Sequence, residues 1–420
     1  MLSKFVLINK PVGISSHDIT IQFRNYYSKI CGHKIKIGHS GTLDPAAHGL
    51  LVLAIGQTRF LRYINMVSSE YNSSCIRKVV DSNNMQDHEA IASSNLVSKQ
   101  VDLPTDVSVE WSEQQQCYSQ DRSKKTASNL VQEHRGVNKN GRRSFYSING
   151  YKTSAWSKIY RFQVLLGVQT DTSDVSGKII NVDSDTIKPF YKAQLNEKLN
   201  SVLDEFSGII TQVPTKFSAI KINGIRAYEL ARAGKEFEMP AREVQVYYLK
   251  VVDNLDVVLP ESLREYSSNY VLNFEVASSS GLYVRTLAED IAKKLGTVGV
   301  VTYLQRIESD GFNLDMIADQ VFPCKITSAV PYKIIDLNCL ASIWPQIVLQ
   351  EQEIARLRLG QRVRITKLPE DSADYYSCID SKGNFHGMVG CYKLEAEEQM
   401  VQKTDQSAGG VIFPSCMVKT

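Results

Sequence analysis

The order of apolar and polar positions near the N-terminus predicts a strand, a helix and two further strands. Residues 5–8 form a continuous apolar run, which predicts a buried strand. After a turn marked by Pro and Gly, Ser15 or Ser16 can cap a helix whose apolar residues recur at helical spacing. Residues 34–37 then alternate like a half-buried strand, and residues 50–55 are apolar throughout, as in a fully buried strand. The glycine-rich segment between these two strands is therefore expected to be a loop held at both ends.

The second half of the chain carries a less regular succession of elements. Its patterns predict strands at residues 157–167, 244–252 and 270–277 and helices at residues 191–206, 227–233, 281–291 and 300–307. This irregular alternation favours a mixed α+β sheet over a doubly wound one. After about residue 342, short strand-like runs extend to Cys416 and indicate a small, separate β-rich domain.

Residues 68–151 interrupt these patterns. They are rich in Ser, Asn and Gln with interspersed charges, and neither helical nor strand periodicity persists in them. A segment of this composition buries little apolar surface, so we expect a low-complexity, disordered insertion. Its basic distal part, residues 122–143, is compatible with RNA contact, but the composition favours a solvated insertion without function.

Composition limits the classes of protein to which the chain can belong. Its 420 residues suggest two or three domains, and 43% hydrophobic and 22% charged residues are typical of an ordinary globular protein. No apolar run is long enough to span a bilayer, and the strand pattern at residue 5 leaves no room for a targeting segment before it, so we expect a cytoplasmic protein. The eight cysteines are scattered without zinc spacing, which argues against a disulfide framework and a structural metal.

One carboxylate stands out in the loop between the second and third predicted strands. The loop contains the run Gly38-His39-Ser40-Gly41-Thr42-Leu43-Asp44-Pro45. Pro45 drives Asp44 out of the helical region, so its side chain is expected to project from the loop. Asp-Pro is also ordinary turn chemistry, which leaves a purely structural turn as the alternative. Residues 1–64 hold eight basic side chains and only Asp18 as a second acid, and this balance favours an ionised carboxylate that faces a polyanion.

Five motifs occur in an order that resembles one known family. They are Lys10-Pro11-x-Gly13-x-Ser15-Ser16, the loop from Gly38 to Pro45, Lys158-x-Tyr160, Leu166-Gly167 with Thr170-Asp171-Thr172-x-Asp174, and Tyr283-Val284-Arg285-Thr286-Leu287. In this order they resemble the TruB family of tRNA pseudouridine-55 synthases. The resemblance extends from the N-terminus to about Phe312, apart from the insertion, and continues more weakly toward the C-terminus.

The resemblance implies an α+β fold, in which a mixed-sheet pseudouridine synthase catalytic domain is followed by a small C-terminal β-rich PUA-like domain. The catalytic domain would comprise residues 1–67 and 152–341, split by the insertion at 68–151, and residues 342–420 would form the RNA-binding PUA-like domain. The implied reaction converts uridine 55 in the TΨC arm of tRNA to pseudouridine without a cofactor or metal. The implied partner is the T arm of tRNA, with no membrane involved, and the implied state is a monomer.

The resemblance also assigns three catalytic residues. Asp44 would be the nucleophile, since an ionised carboxylate can attack carbon covalently; attack on ribose C1′, attack on uracil C6 and a glycal route all stay open. Arg285 would keep Asp44 ionised, because a nearby guanidinium favours the charged form of a carboxyl group. Tyr160 would pack against the target base and assist proton transfer from C5. Without the resemblance, Arg285 would be interpreted as a surface arginine and Tyr160 as an ordinary strand tyrosine.

Five further residues are implied to contact RNA or to shape the pocket. His39 would fill the gap left by a flipped base, although a glycine-flanked histidine is equally well explained as a solvated loop residue. Lys10 would support the site or lie near a phosphate, with a surface ion pair as the alternative. Tyr283 would line the pocket or belong to the core, and Gly41 and Leu43 of the Asp44 loop are taken as substrate-binding positions.

Three positions depart from the family pattern, and two other functions are compatible with parts of the sequence. Ser40 stands where Thr is usual, His48 where a small or hydroxylated residue is common, and Leu282 where Thr is usual. A non-catalytic tRNA-binding or tRNA-folding protein would keep the same surface, although binding alone requires no carboxylate among cations. A serine hydrolase is suggested by the glycine-flanked Ser40, but its G-x-S-x-G elbow fails at Thr42, where a second glycine is needed.

Overall fold

The computed structural model describes a large part of the chain outside the predicted insertion. The described residues are 3–64, 146–148, 151–153, 158–184, 198–253, 255, 257–310, 312–317, 320–322, 330–365, 375–393 and 410–418. The insertion predicted at residues 68–151 lies outside the described residues, except for two three-residue strands at its end.

The described helices and strands fall into an N-terminal, a central and a C-terminal part of the chain. The N-terminal part contributes β1 (Lys4–Lys10), α1 (Ser16–Cys31), β2 (Ile37–His39), β3 (His48–Ile55) and α2 (Leu61–Ile64). The strands β4 (Tyr146–Ile148) and β5 (Tyr151–Thr153) pair as a hairpin. The central part contributes β6 (Lys158–Leu166), β7 (Val168–Thr170), β8 (Ile179–Val182), α3 (198–205), β9 (Gly208–Gln212), β10 (Lys221–Ile222), β11 (Ile225–Arg226), α4 (Ala227–Arg232), β12 (Arg242–Val251), β13 (Val271–Ser278), α5 (Val284–Lys294), β14 (Gly299–Ser309), β15 (Phe312–Asn313), β16 (Gln320–Phe322) and β17 (Val330–Asp336). The C-terminal part contributes α6 (Cys339–Ile343), β18 (Gln346–Val348), α7 (Glu351–Arg358), β19 (Val363–Ile365), β20 (Tyr375–Ile379), β21 (Phe385–Lys393) and β22 (Gly410–Met417).

Eleven of the described strands form one mixed sheet. Its order is β16-β17-β1-β3-β14-β6-β13-β12-β9, with β2 added to β3 and β15 added to β14. The strands β3 and β14 pair in parallel, and the other neighbours along this path are antiparallel. The mixed α+β architecture predicted from the sequence is thereby confirmed.

Both faces of the sheet are buried around β1 and β3. Successive side chains of a strand point to opposite faces, so a strand covered on both sides is apolar throughout. In β3, Leu51, Leu53 and Ile55 belong to one hydrophobic cluster with residues of α1 and α5, whereas Leu50, Val52 and Ala54 belong to another with residues of α2 and the C-terminal sheet. This explains the continuous apolar run at residues 50–55, and it holds the Asp44 loop on a rigid strand.

The helix predicted after the Pro and Gly turn is present as α1. The side chain of Ser15 accepts a hydrogen bond from the backbone N–H of Asp18 at 3.1 Å, as an N-cap does. Its apolar face, with Ile19, Phe23 and Tyr27, is buried against the sheet. The helix thereby brings its first turn next to the Asp44 loop.

The helix predicted at residues 300–307 is wrong, because these residues lie in β14. The run contains Val300, Val301 and Thr302, whose branched Cβ atoms favour a strand. In the structure β14 lies between β3 and β6, where its neighbours satisfy its backbone on both sides. Short apolar runs do not distinguish a buried helix from a buried strand by periodicity, so the sheet decided this element.

The C-terminal strands form a second sheet in the order β18-β20-β21-β22-β19. It has a core of its own, which includes Ile354, Val389 and Ile412. A separate cluster joins it to the large sheet, since Phe385 and Met388 belong to the same hydrophobic cluster as Phe5 of β1. The boundary predicted near residue 342 falls inside α6. None of the described helices is long and apolar enough to cross a membrane.

Candidate active site

Asp44 lies in the loop between β2 and β3, and the backbone of this loop is fixed at several points. Leu43 donates its N–H to Ser16 Oγ at 2.7 Å, and the same hydroxyl donates to the Leu43 carbonyl at 2.9 Å. Ala47 N–H closes a turn on the Asp44 carbonyl at 3.1 Å, and Gly13 N–H donates to the Pro45 carbonyl at 2.8 Å. The side chain of Asp44 stays 36% exposed above this framework. The expectation that it projects from a loop is confirmed.

The guanidinium of Arg285 meets Asp44 directly. Arg285 lies in the first turn of α5, and its Nε donates to Asp44 Oδ2 at 2.8 Å. Its side chain is only 5% exposed, so the cation is buried while the carboxylate that it contacts remains accessible. Nη1 donates to the Thr172 carbonyl at 2.7 Å and Nη2 donates to the Phe217 carbonyl at 3.0 Å. These bonds fix the direction in which Nε points.

A second carboxylate, that of Asp174, lies next to the guanidinium of Arg285. Its Oδ2 lies 3.6 Å from Arg285 Nε, and its side chain is 9% exposed. Asp174 Oδ1 also accepts hydrogen bonds from Thr172 Oγ1 at 2.8 Å and from the Ser176 N–H at 2.9 Å. The sequence motif included Asp174, but no role was assigned to it. The structure places it where it helps to balance and orient the buried Arg285.

Tyr160 lies in β6 and is almost completely buried. Burial raises the pKa of its phenol, and the positive charge and hydrogen bond of Arg306 oppose this rise. The charge of Asp44 also acts on Tyr160, on Tyr283 and on Lys10, in each case raising the pKa. The charge of Asp44 therefore acts on three of the residues that the sequence pointed to.

Lys10 lies at the end of β1 and is fully buried. Its Nζ donates to the Pro11 carbonyl at 2.9 Å and to the Ile14 carbonyl at 2.7 Å. Burial is the main cause that lowers the pKa of Lys10 to about 7, and the charge of Arg306 adds to it. A side chain without solvent exposure cannot reach a phosphate in this conformation. Of the two roles predicted for Lys10, the structure favours support of the site over RNA contact.

The other predicted binding residues occupy different environments. His39 is half-buried in β2, and burial together with nearby positive charges, Arg306 first among them, lowers its pKa. Leu43 is buried in the core, so packing is the role that the structure supports for it. Tyr283 occupies the N-cap position of α5 without a side-chain capping bond, and its N–H donates to Gln212 Oε1 at 3.1 Å. A Cβ added at Gly41 would stand 3.3 Å from Lys158 Nζ, so Gly41 permits a close approach of the loop to that lysine.

Arg306 is a site residue that sequence reasoning missed. It lies in β14, the strand predicted as a helix, and it is 1% exposed. Its guanidinium donates to the carbonyls of Leu50 at 2.8 Å and of Gly41 at 3.1 Å, and Thr42 O lies 3.5 Å from Nη1. The only signal in the sequence was a basic residue among largely apolar positions of a segment predicted as a helix, and such a residue is more often exposed.

Lys158 and Asp310 form a buried ion pair next to Arg306. Lys158 Nζ donates to both carboxylate oxygens of Asp310 at 3.1 Å and to Ser309 Oγ at 3.0 Å. Burial lowers the pKa of Lys158, and Asp310 opposes this change. Lys158 belonged to a motif in the sequence, and in the structure its ammonium lies beside Gly41.

The same geometry can be compared with that of a serine hydrolase site and of a metal site. Ser40 Oγ is buried and has no hydrogen-bond partner among the described residues, so the Ser-His pair of a serine hydrolase is not formed at this position. Within the same described ranges, no cluster of three or more His, Cys, Asp or Glu side chains is arranged to hold a metal ion.

Comparison with known families identifies the chain. A model of the TruB family pseudouridylate synthases, built for their N-terminal domain, matches residues 28–118 and 150–284, which is more than half of the chain. The chain belongs to the TruB family. A tRNA pseudouridine synthase B of Streptococcus pyogenes serotype M2 (strain MGAS10270) is 34% identical over 375 residues, which cover 87% of this chain and 89% of that protein.

Two further comparisons give the range of similarity. A tRNA pseudouridine synthase B of Ligilactobacillus salivarius (strain UCC118) is 38% identical over 159 residues, and this alignment covers 38% of the present chain and about half, 49%, of that relative's length. A solved structure described as an H/ACA RNP bound to a substrate RNA containing 2'-deoxyuridine covers 99% of this chain and 85% of its own chain, with a TM-score of 0.46 and 14% sequence identity.

Two of the positions at which this TruB chain departs from the family pattern, His48 and Leu282, are buried in the structure. His48 begins β3, where its ring meets the Tyr303 ring edge-on at a centroid distance of 4.8 Å. Burial, together with the nearby charge of Lys10, lowers the pKa of His48 to about 4. At neutral pH His48 is therefore an uncharged aromatic side chain. Leu282 is buried in the core, which accounts for an apolar residue at that position.

Proposed function

We propose that this chain converts uridine 55 in the TΨC arm of tRNA to pseudouridine, with Asp44 as the nucleophile. The observation that carries the proposal is the ion pair between Asp44 and Arg285, in which the carboxylate is 36% exposed and the guanidinium 5%. The buried guanidinium of Arg285 orients the Asp44 carboxylate on one side, and the exposed side of the carboxylate stays accessible to a substrate. Membership of the TruB family and relatives named tRNA pseudouridine synthase B support tRNA as the substrate class.

The proposed reaction is an isomerisation within one nucleotide. The bond between ribose C1′ and uracil N1 breaks, the uracil turns, and C1′ bonds to C5. The proton on C5 leaves and N1 gains a proton, so atoms and charge balance without a co-reactant. Asp44 attacks ribose C1′, attacks uracil C6 or supports a glycal route, and each of these requires a carboxylate that reaches the extruded nucleotide.

Tyr160 is proposed to pack against the extruded base and to assist proton transfer from C5. Because burial raises the pKa of its phenol, Tyr160 is protonated at neutral pH. A neutral phenol can donate its hydrogen and accept another through its oxygen, which is what a proton relay requires. Its ring also offers a flat apolar face of the kind on which bases stack.

Recognition of the RNA is proposed to use surfaces on both sheets. His39, uncharged because its pKa is lowered, has the aromatic ring needed to fill the place of a flipped base. The C-terminal unit exposes four arginines, which are Arg356, Arg358, Arg362 and Arg364. Charges of this kind bind phosphates, so we assign residues 342–420 as a PUA-like RNA-binding domain. The division of the catalytic domain into residues 1–67 and 152–341, the monomeric state and the cytoplasmic location belong to the same proposal.

The proposal is tested by measuring pseudouridine formation on an unmodified tRNA transcript. The intact chain is expected to modify one T-arm uridine, whereas Asp44→Ala and Asp44→Asn bind the transcript and form no product. Asp204→Asn is the matched control, because Asp204 is an exposed aspartate in α3 that is remote in sequence from the Asp44 loop. A transcript with cytidine at position 55 is expected to remain unmodified.

Three outcomes would change this assignment. If the folded chain bound tRNA but left every uridine unchanged, the alternative of a non-catalytic tRNA-binding or tRNA-folding protein would replace it. If pseudouridine formed at another position, the choice of uridine 55 would be wrong while the chemistry stood. If Asp44→Asn retained the rate of the intact chain, the nucleophile would be a different residue.

A further inference from the structure

Gln212 is a buried amide side chain to which the sequence assigned no role. It ends β9, the last strand in the order of the large sheet, and it is only 1% exposed. Both polar atoms of its amide bond to the backbone of one residue, Tyr283, which lies 71 positions further along the chain. A buried amide is costly unless it is hydrogen-bonded, so these two bonds show what Gln212 holds in place.

The two bonds determine the orientation of the amide. The Tyr283 N–H donates to Gln212 Oε1 at 3.1 Å, and Gln212 Nε2 donates to the Tyr283 carbonyl at 3.3 Å. A backbone N–H only donates and a backbone carbonyl only accepts, so turning the amide over would break both bonds. The side chain of Gln212 thus binds Tyr283 as the backbone of a paired strand residue would.

Tyr283 is the residue at which α5 begins. The first N–H groups of a helix have no partner inside the helix, and the side chain of Tyr283 makes no capping bond. In a capping box, the N-cap N–H bonds to a Glu or Gln at the third position of the same helix. In α5 that position is Thr286, and Gln212 supplies the acceptor from a distant strand instead. Gln212 therefore fixes the start of α5.

The segment that follows Gln212, residues 213–217, holds the side chain of Arg285. The guanidinium donates from Nη1 to Thr215 Oγ1 at 3.3 Å and from Nη2 to the Phe217 carbonyl at 3.0 Å. Arg285 lies in the first turn of α5, and its Nε donates to Asp44 Oδ2 at 2.8 Å. The amide of Gln212 thus joins two pieces of backbone that together determine where this guanidinium lies.

We propose that Gln212 is a positioning residue, which holds the start of α5 against residues 212–217 and thereby keeps Arg285 in contact with Asp44. The proposal rests on the proposed function, because the position of Arg285 matters for a rate only if Asp44 reacts. Gln212 acts through the backbone of Tyr283 and through Arg285, and small displacements of a reacting group are costly in rate.

The test is a double-mutant cycle on the single-turnover rate at saturating unmodified tRNA transcript. Gln212→Met keeps the length of the side chain and removes both bonds, which is expected to cost about 100-fold in rate, the loss typical of a misplaced catalytic group. Arg285→Lys is expected to cost about 100-fold as well. If Gln212 acts through Arg285, the double variant is about as slow as the slower single variant, rather than about 10,000-fold slower, because both changes disturb one unit.

The matched control is Gln163→Met in β6. Gln163 is also a buried amide, 2% exposed, which donates to Asn273 Oδ1 at 3.0 Å and accepts from Thr302 Oγ1 at 2.8 Å. It lies three positions from Tyr160, so its side chain is on the opposite face of the sheet. Urea unfolding is expected to show a loss of stability in Gln163→Met, whereas its rate is expected to equal that of the intact chain.

The rate of the folded protein separates positioning from a purely structural role. If Gln212 only stabilised the fold, Gln212→Met would behave like Gln163→Met, with a lower unfolding free energy and an unchanged rate. The affinity for tRNA, measured by filter binding, is expected to be unchanged in all variants. Should Gln212→Met not fold, Gln212→Asn takes its place in the cycle, since its amide is one methylene too short to keep both bonds and the same coupling is expected.

The outcomes distinguish this inference from the proposed function. If the intact chain makes no pseudouridine, the proposed function fails and the inference falls with it. If the intact chain is active but Gln212→Met retains its full rate, the inference is overturned while the proposed function stands. The same conclusion follows if the losses of Gln212→Met and Arg285→Lys multiply in the double variant, because Gln212 would then not act through Arg285.

Discussion

Arg285 Nε lies 2.8 Å from Asp44 Oδ2, although 241 residues separate the two in the chain. The same Nε lies 3.6 Å from Asp174 Oδ2, so one guanidinium stands between two carboxylates. Its other nitrogens are held by the carbonyls of Thr172 and Phe217. The orientation of Asp44 is therefore set by residues from three distant parts of the sequence.

Replacement of Arg285 by lysine is expected to remove most of the activity without loss of tRNA binding. A lysine keeps the positive charge, but one ammonium cannot bond Asp44 and both carbonyls in the geometry of the fork. We expect the single-turnover rate to fall about 100-fold, the loss typical of a misplaced catalytic group.

Arg264→Lys is the control for this change, because Arg264 is exposed in the 3₁₀ segment Glu261–Tyr266. Its rate and its tRNA affinity are expected to match those of the intact chain. An Arg285→Lys protein that turned over at the full rate would show that the fork is unnecessary and that charge alone suffices.

Gly49→Ala is expected to separate β3 from β14. Gly49 has a φ of +104°, and a Cβ added there would stand 2.3 Å from the Arg306 carbonyl oxygen, which is backbone and cannot move aside. A clash of this kind inside a sheet is expected to cost at least about 3 kcal/mol of unfolding free energy and to lower the activity. Urea unfolding measures the first effect, and the tRNA assay measures the second.

Gly224→Ala provides the comparison for that substitution. Gly224 has a similar φ of +85°, but nothing lies within 4 Å of the position that its Cβ would take. The loss there is expected to be limited to the backbone strain of a positive φ, about 1 to 2 kcal/mol. Equal losses of unfolding free energy at the two glycines would mean that backbone strain, and not the contact between strands, accounts for the effect of Gly49→Ala.

His48 is expected to make the protein less stable in mild acid. The pKa of His48 is about 4 in the folded chain and 6.5 in the unfolded chain. Above pH 6.5 the side chain is neutral in both states, so its titration does not change the free energy of unfolding there. As the pH falls from 6.5 toward 4, only the unfolded state takes up a proton at this residue. The free energy of unfolding therefore falls over that window, by about 1.4 kcal/mol for each pH unit well inside it.

The measurement is the unfolding free energy of the intact chain and of His48→Thr at several pH values between 4 and 7. His48→Thr leaves a smaller side chain next to Tyr303, so a constant offset between the two proteins is expected as well. The difference should change in favour of the variant as the pH falls. Parallel curves would show that His48 titrates alike in the folded and unfolded states.

The candidate site was predicted from the sequence in part. Asp44 could be found because Pro45 and its glycine-rich surroundings mark a loop between two strands, and the resemblance to the TruB family supplied Arg285 and Tyr160. The structure brings Asp44 and Arg285 into contact, while the catalytic roles of all three residues stay predictions. Lys10 was predicted to support the site or to lie near a phosphate; it is fully buried, and its role stays a prediction.

The sequence by itself determined the elements that depend on residues close to one another in the chain. Ser15 caps α1 because its hydroxyl reaches an N–H only three residues away, and β3 is apolar throughout because both of its faces are covered. Tertiary structure alone decided that residues 299–309 form a strand, since their pattern fits a helix or a strand until β3 and β6 supply backbone partners. It also decided the environment of Arg306, because the carbonyls that compensate its buried charge come from parts of the chain that only folding brings together.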